Sequence, residues 1–558
     1  MHHSLPPITP SKLALFSRSP LIGAWWEELE ARDGFQGQKP PVSALDQQLF
    51  DEGLRHEQVL LGRLESEGHR IARLAGKQGQ ADYAATLAAM AEGFDFIHQA
   101  SLCNDEMRGS ADLLRRIDQP SALGGWSYIP IECKLASKPK TTFLVQAAAY
   151  CELLAPILGS RPERFELYLG GGRFQPYRTD QFWAWYQSLR HRYRLFREAF
   201  DPSTPPEDAP GDHGSWGAFI EQRLEQSRDL MLVANMRQSQ RLKLRAAGIT
   251  TIEQLAQAPH DAVIPGLNRE VFVELRQQAE LQSTPPSADG KPPFRLRPVQ
   301  AGKGLAALPP PSDGDIWFDM EGVQDAVAAT KLEYLFGACY RERPGGAPQF
   351  KAWWAHSPLE EKRAFEDWVD WVEERRSRHP ALRIYHYASY EKTAMRRLAQ
   401  LHSTREAVID DWLRSGLLVD LLPVVTSSIV LGEPSYSIKK VEHLYMETRQ
   451  AEVTNAGDSV VAYTHWQNSG EPSCPGEPPA GSPLLRDIEA YNREDCESTV
   501  FLHDWLLALR REQGLCGDPV EAAHDHAPPK EPWPLEQLSA ELLAELPEPL
   551  QADPPANG

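Results

Sequence analysis

The stretch IWFDMEG at positions 316–322 sets an Asp and a Glu two residues apart inside an apolar, strand-like run. In a strand, residues two apart share a face, so Asp319 and Glu321 project together. The spacing alone says little, because acidic residues are common; its meaning depends on what the rest of the segment supplies. Well downstream, AYNREDCESTVFLHDWL (490–506) carries Tyr491 and Asp495 one helical turn apart on a strongly apolar helix. An acid on the packed side of such a helix demands a partner or a metal ion, because an unpaired buried charge is costly.

An opening D-x-E and a closing Y-x-x-x-D resemble the DEDD exonucleases of the ribonuclease H-like fold, in the variant with a Tyr. That family has a middle carboxylate at a helix start, after a strand ending in His and a polar residue. The matching text is RIYHYASYEKTAMRRL (383–398), where Glu391 stands in the place usually held by Asp. Asp420 in LLVDLLPVV (417–425) competes for the role, although its position better fits the strand that follows. The resemblance implies a two-metal mechanism in which Asp319, Glu321, Glu391 and Asp495 hold magnesium or manganese, while Tyr491 positions the attacking water.

A second carboxylate set lies nearer the start. In IPIECKLA (129–136) Glu132 and Lys134 share one strand face and Cys133 the other, a geometry suited to a metal-bound carboxylate beside an ammonium. The triplet alone is uninformative, and DGK (289–291) and EEK (360–362) repeat its pattern. Its context is not. RGSADLL (108–114) presents Asp112, QAAAYCELL (146–154) places Gln146 and Tyr150 one turn apart, and GLRHEQ (53–58) puts Glu57 on a helix. Taken in chain order, a helical Glu57, a strand Asp112, the Glu132-x-Lys134 triplet and then Gln146 and Tyr150, these features resemble the RecB-like nucleases of the PD-(D/E)XK superfamily. The resemblance implies metal ligands at Asp112 and Glu132, with Glu57 completing the shell, Lys134 orienting the water, and Gln146 and Tyr150 bordering DNA. Some relatives carry a four-cysteine iron–sulfur cluster; the N-terminal text LFSRSPLIGAWW has no cysteine, so no cluster is expected.

Between the two, LRAAGITTIEQLAQAPHDAVIPGLNREVFVELRQQAE (244–280) breaks helical text at Gly248 and Gly266. This resembles tandem helix-hairpin-helix modules, whose backbone N–H groups receive phosphate, with Lys243 and Arg245 as local basic residues. A purely structural connector fits the same text. Pro- and Gly-rich seams at 201–214 and 281–298 give an α/β multidomain chain. Its units are a PD-(D/E)XK nuclease domain (1–200), a helical segment (215–285), a ribonuclease H-like domain (295–515) and an acidic, Pro-rich tail (516–558) expected to be disordered. The joint order is similar to RecB-like nucleases with a C-terminal YprB-type ribonuclease H-like domain.

A net charge of -20 argues on its face against a polyanion partner, but residues 517–558 alone carry nine acidic residues against one Lys. Seven scattered cysteines read as reduced thiols, and the absence of a long apolar run and of a secretory leader leads us to expect a cytoplasmic protein with no membrane partner. QAGKGL (300–305) lacks the phosphate-loop pattern, so a helicase motor would be a separate partner. The expected function is a metal-dependent nuclease acting on single strands or ends of DNA. The rivals are RNA processing, and a noncatalytic nucleic-acid adaptor.

Overall fold

A computed structural model describes residues 6–515, apart from 38, 40, 78, 171, 325–330, 344, 448–455, 478 and 479. The acidic tail, expected to be disordered, lies outside the described residues.

The first unit is built on a six-stranded sheet in the order β1 (Ile71–Arg73), β2 (Phe96–Cys103), β3 (Arg108–Ile117), β4 (Ser127–Lys134), β5 (Arg164–Leu169) and β6 (Arg173–Arg178). Strands β2, β3 and β4 form an antiparallel meander, and β4 runs parallel to β5. A parallel pair needs a crossover; here it is the helix Thr141–Leu158. Its Ala- and Leu-rich text buries Val145, Ala148, Ala149, Leu153 and Leu154 on one sheet face, and Gly159, at a φ of 78°, ends it. Among the described residues this is the one helix long and apolar enough to cross a bilayer, and its packing explains that composition. The other sheet face is covered by the helix Ala44–Ser66, whose Leu60, Leu61 and Leu64 meet Leu113, Ile131 and Cys133.

Short helices at 217–226, 238–246, 252–257 and 269–282 follow, closed around Leu230, Leu244, Leu255 and Phe272. They are wedged between the larger units. Trp216 packs against Trp25 and Trp26 of the N-terminal helices, while Gln278 donates to the Leu431 carbonyl at 2.5 Å and accepts from the Tyr436 hydroxyl at 3.0 Å.

The third unit opens with β7 (Phe294–Leu296), paired to a late strand, and then builds a five-stranded sheet. Its strands are β8 (Ile316–Gln324), β9 (Lys331–Tyr340), β10 (Gln349–Trp354), β11 (Ile384–His386) and β12 (Leu418–Asp420); β13 (Ile429–Leu431) is the partner of β7. The order is β10-β9-β8-β11-β12, with β9 antiparallel to both neighbours and β8, β11 and β12 parallel. One face is covered by the helix Pro358–Arg378 and its neighbours through Phe365, Trp368 and Trp412. The other is covered by the 30-residue helix Pro483–Glu512 through Cys496, Val500, Leu502 and Leu506. This helix is capped by Ser482, whose hydroxyl accepts from Leu485 N, and Pro483 occupies its first turn.

Candidate active sites

Strand β9 lies so close to the helix Pro483–Glu512 that its Gly337, paired with Asp319 of β8, leaves no room for a side chain. A Cβ at Gly337 would stand 1.7 Å from Asn492 Oδ1 and 2.8 Å from its Cγ. That approach brings Asp319, Glu321 and Asp495 together, with one carboxylate oxygen of each within 4.8 Å of the others. Asn492 Nδ2 donates to Asp319 Oδ2 at 2.7 Å, Ser459 hydrogen-bonds Glu321, and Tyr491 hydrogen-bonds Asp495. Lys439, from the short helix Ile438–Val441, ion-pairs with Asp495, and its Nζ lies 4.4 Å from the centre of the Tyr491 ring.

Glu391 stands in the first turn of the helix Tyr390–His402, buried, and close enough for its charge to act on Asp319. His386 Nδ1 lies 3.3 Å from Glu391 Oε2 but gives its hydrogen bond to the Ala388 carbonyl at 2.7 Å. Glu391 Oε2 therefore has no hydrogen-bond partner among the described residues. Asp420, the competing candidate, is occupied elsewhere: its Oδ1 accepts from Leu422 N and Ala388 N, both at 2.9 Å, capping a helix and pinning the loop before Glu391.

Three acids with oxygens within 4.8 Å of one another, and Glu391 near enough for its charge to act on Asp319, cannot all ionise without compensation. Burial, reinforced by Asp495, Glu321 and Glu391, pushes the Asp319 carboxyl well above the ordinary carboxylate range. Burial and then Asp495 push Glu321 up to about 8. Glu391 is raised by burial despite His386. The Tyr491 phenol is raised well above its usual value by burial and by Asp495.

At the first site the strand geometry gathers the expected set. Lys134 Nζ bonds Glu132 Oε1 at 2.5 Å and lies 3.8 Å from Asp112 Oδ2, which also accepts from Cys133 N at 2.9 Å. Cys133 faces the opposite side, under the helix Ala44–Ser66. Burial, then Glu132, with a smaller contribution from Glu57, pushes Asp112 up to about 8; Glu132 is raised by burial. For Lys134 burial works against the ammonium, but Glu132 and Asp112 outweigh it and hold its pKa above the ordinary value.

Glu57 Oε2 lies 3.3 Å from His98 Nε2 and accepts from Gln99 Nε2 at 3.2 Å. Successive strand residues normally point apart. Gln99, at a φ of 54°, breaks that alternation so that both side chains reach one carboxylate. Strain of this kind persists where the surroundings over-determine it.

Two expectations of DNA-facing residues meet different surroundings. Tyr150 is only 5% exposed, and its hydroxyl donates to the Ser110 carbonyl at 2.6 Å; Gln146, half-buried, lies 3.4 Å from Ser11 Oγ. In the helical segment Lys243 bonds the Gly266 carbonyl, and Arg245 pairs with Glu207 and, at 3.2 Å, with Asp229. Gly248 and Gly266 adopt the left-handed φ of 83° and 73° expected at these breaks. The helix N-termini beyond them, expected to receive phosphate, are already capped. Thr251 Oγ1 accepts from Gln254 N, and Asn268 Oδ1 from Glu270 N and Val271 N. These partners give the basic residues and N–H groups a structural occupation within the connector.

Residues 316–507 match a family model described as the RNase H superfamily, and the C-terminal unit is accordingly a ribonuclease H-like domain. No curated protein matches the chain. Three residues of the Asp319 site, Asn492, Lys439 and Ser459, were not singled out from the sequence. Asn492 offered a signal in retrospect, as an amide three residues before Asp495 on the same buried helix face. Lys439 and Ser459 lie outside the helix that carries Asp495 and offered no local pattern.

Proposed function

We propose that the protein is a metal-dependent nuclease that hydrolyses phosphodiester bonds of DNA, on single strands or at ends, with the ribonuclease H-like site as its principal centre. The observation that carries this reading is the convergence of Asp319, Glu321 and Asp495 in a domain of nuclease lineage. The donor set fits a divalent cation. It consists of hard carboxylate oxygens, the raised acids sit where cations would compensate their charge, and the buried Glu391 Oε2 has only the His386 ring, 3.3 Å away, beside it. When bound, magnesium or manganese neutralises developing charge and acidifies the attacking water.

The chain's own residues account for the rest. Asp319, Glu321, Glu391 and Asp495 would hold the ions; Asn492 fixes the Asp319 carboxylate, and Ser459 that of Glu321. Tyr491, tethered to Asp495, orients the water with its protonated hydroxyl. Oxygen of water bonds to phosphorus as the bond to the leaving oxygen breaks; the water proton passes to solvent and the leaving oxygen takes one up.

Lys134 on Glu132 beside Asp112, with Glu57 near enough for its charge to act on Asp112, favours a further centre of the PD-(D/E)XK type, and Glu132 Oε2 is buried without a hydrogen-bond partner. Incubation of the purified chain with labelled single-stranded DNA or RNA and manganese tests the reading. DNA should shorten and EDTA should stop it. Binding without cleavage under magnesium and manganese would favour the adaptor, and cleavage confined to RNA would favour RNA processing.

A further inference from the structure

The ribonuclease H-like site contains a cation that none of its three motifs includes. Lys439 arrives from the turn Ser437–Val441, which is anchored on both sides: Tyr436 is buried and its hydroxyl binds Gln278, and Val441 is fully buried. Its side chain is 30% exposed, so the ammonium sits where the site meets solvent while touching Asp495 and lying over the ring of Tyr491. Neighbouring cations are engaged away from the carboxylate cluster. Lys440 lies 3.5 Å from Glu433, while Lys331 and Arg397 hold the buried Glu333.

Building on the nuclease reading above, we propose that Lys439 is a further catalytic residue, whose ammonium contacts a non-bridging oxygen of the scissile phosphate. Four carboxylates are matched in charge by two divalent cations, so an occupied site would not need this ammonium as a counter-ion. A flexible lysine stem then frees the ammonium from Asp495 to meet the nearest anion, the phosphate beside Tyr491. In the reaction water oxygen bonds to phosphorus and the leaving oxygen departs with a proton from solvent. The ammonium keeps its own protons and offsets the charge that builds on the phosphoryl oxygens. The first site shows the same constitution, with Lys134 on Glu132 beside Asp112.

The test uses the full chain, labelled single-stranded DNA and manganese, with cleavage rate and manganese binding measured on Lys439→Met, Lys439→Arg and Asp495→Asn. Lys439→Met should lose about 10²-fold in rate, bind manganese as tightly as wild type or tighter, and melt normally. Lys439→Arg should recover most of the rate. Wild-type cleavage by Lys439→Met overturns the proposal, as does parallel loss of rate and manganese binding in it, since a structural counter-ion behaves that way. If Asp495→Asn abolishes cleavage while Lys439→Met cleaves as wild type does, the proposal fails alone. If Asp495→Asn cleaves as wild type does, the reading of this site fails with it.

Discussion

Gly337→Ala is the smallest change that should separate the two halves of the ribonuclease H-like site. The added methyl would meet Asn492 Oδ1 at 1.7 Å, Asn492 Cγ at 2.8 Å and Phe350 Cε2 at 3.0 Å. Contacts of ordinary length need roughly 3.5 Å, so the side chain or its helix must move by more than 1 Å. Asn492 can turn its amide only by giving up the 2.7 Å bond to Asp319, and it is fully buried. Otherwise the helix Pro483–Glu512 shifts and takes Tyr491 and Asp495 with it. Overpacking of this kind costs about 1–3 kcal/mol, and a 1 Å displacement of reacting groups costs about 10²-fold in rate. Thermal melting and manganese-dependent cleavage measure the two effects. Adding Asn492→Ala to Gly337→Ala should recover stability, because the clashing atoms are gone, but not full activity. A Gly337→Ala protein that melts and cleaves like wild type would refute the packing argument.

Other outcomes follow from the same geometry. Asp112 and Glu321 are both pushed up to about 8 in the folded, metal-free chain, against about 4 unfolded. The folded state therefore binds more protons, and their contribution to stability falls as pH rises from about 4 to about 8. In EDTA the melting temperature of wild type relative to an Asp112→Asn, Glu321→Gln double variant should decline across that window, and manganese should reverse the trend; a rising difference in EDTA would contradict the assignment. Gln99→Ala keeps the strained φ and loses the amide on Glu57, so it should destabilise by about 1 kcal/mol, read by urea unfolding; Gln99→Gly, which relieves the strain, should unfold later than Gln99→Ala. Arg245→Glu places a carboxylate against Glu207 and the buried Asp229. It should lower stability by about 1–3 kcal/mol while leaving the salt slope of DNA binding unchanged; a flattened slope at unchanged stability would return Arg245 to the nucleic-acid interface.

Strand periodicity made much of this legible. The two-residue spacing put Asp319 with Glu321 and Glu132 with Lys134, and the one-turn spacing put Tyr491 with Asp495, because those relations are local to one element. The long apolar crossover and the closing helix were readable for the same reason. What escaped was made by tertiary contact. Lys439 reaches Asp495 from 56 residues away, and the left-handed Gln99 sits in a run that reads as ordinary strand. Arg245, a local basic residue of the helical segment, pairs with Glu207 and Asp229, and Arg241 beside it does the same; no local pattern identifies those partners. Asp420 was a plausible ligand by residue type, and its capping role emerges only once Ala388 is folded against it.

The central claim is that the Asp319, Glu321 and Asp495 cluster cuts nucleic acid. Its most direct test is the manganese-dependent cleavage rate of end-labelled single-stranded DNA by wild type, Asp112→Ala, Asp495→Ala and the double variant. The account predicts that Asp495→Ala removes most of the activity and Asp112→Ala a smaller part. Undiminished cleavage by Asp495→Ala would contradict it.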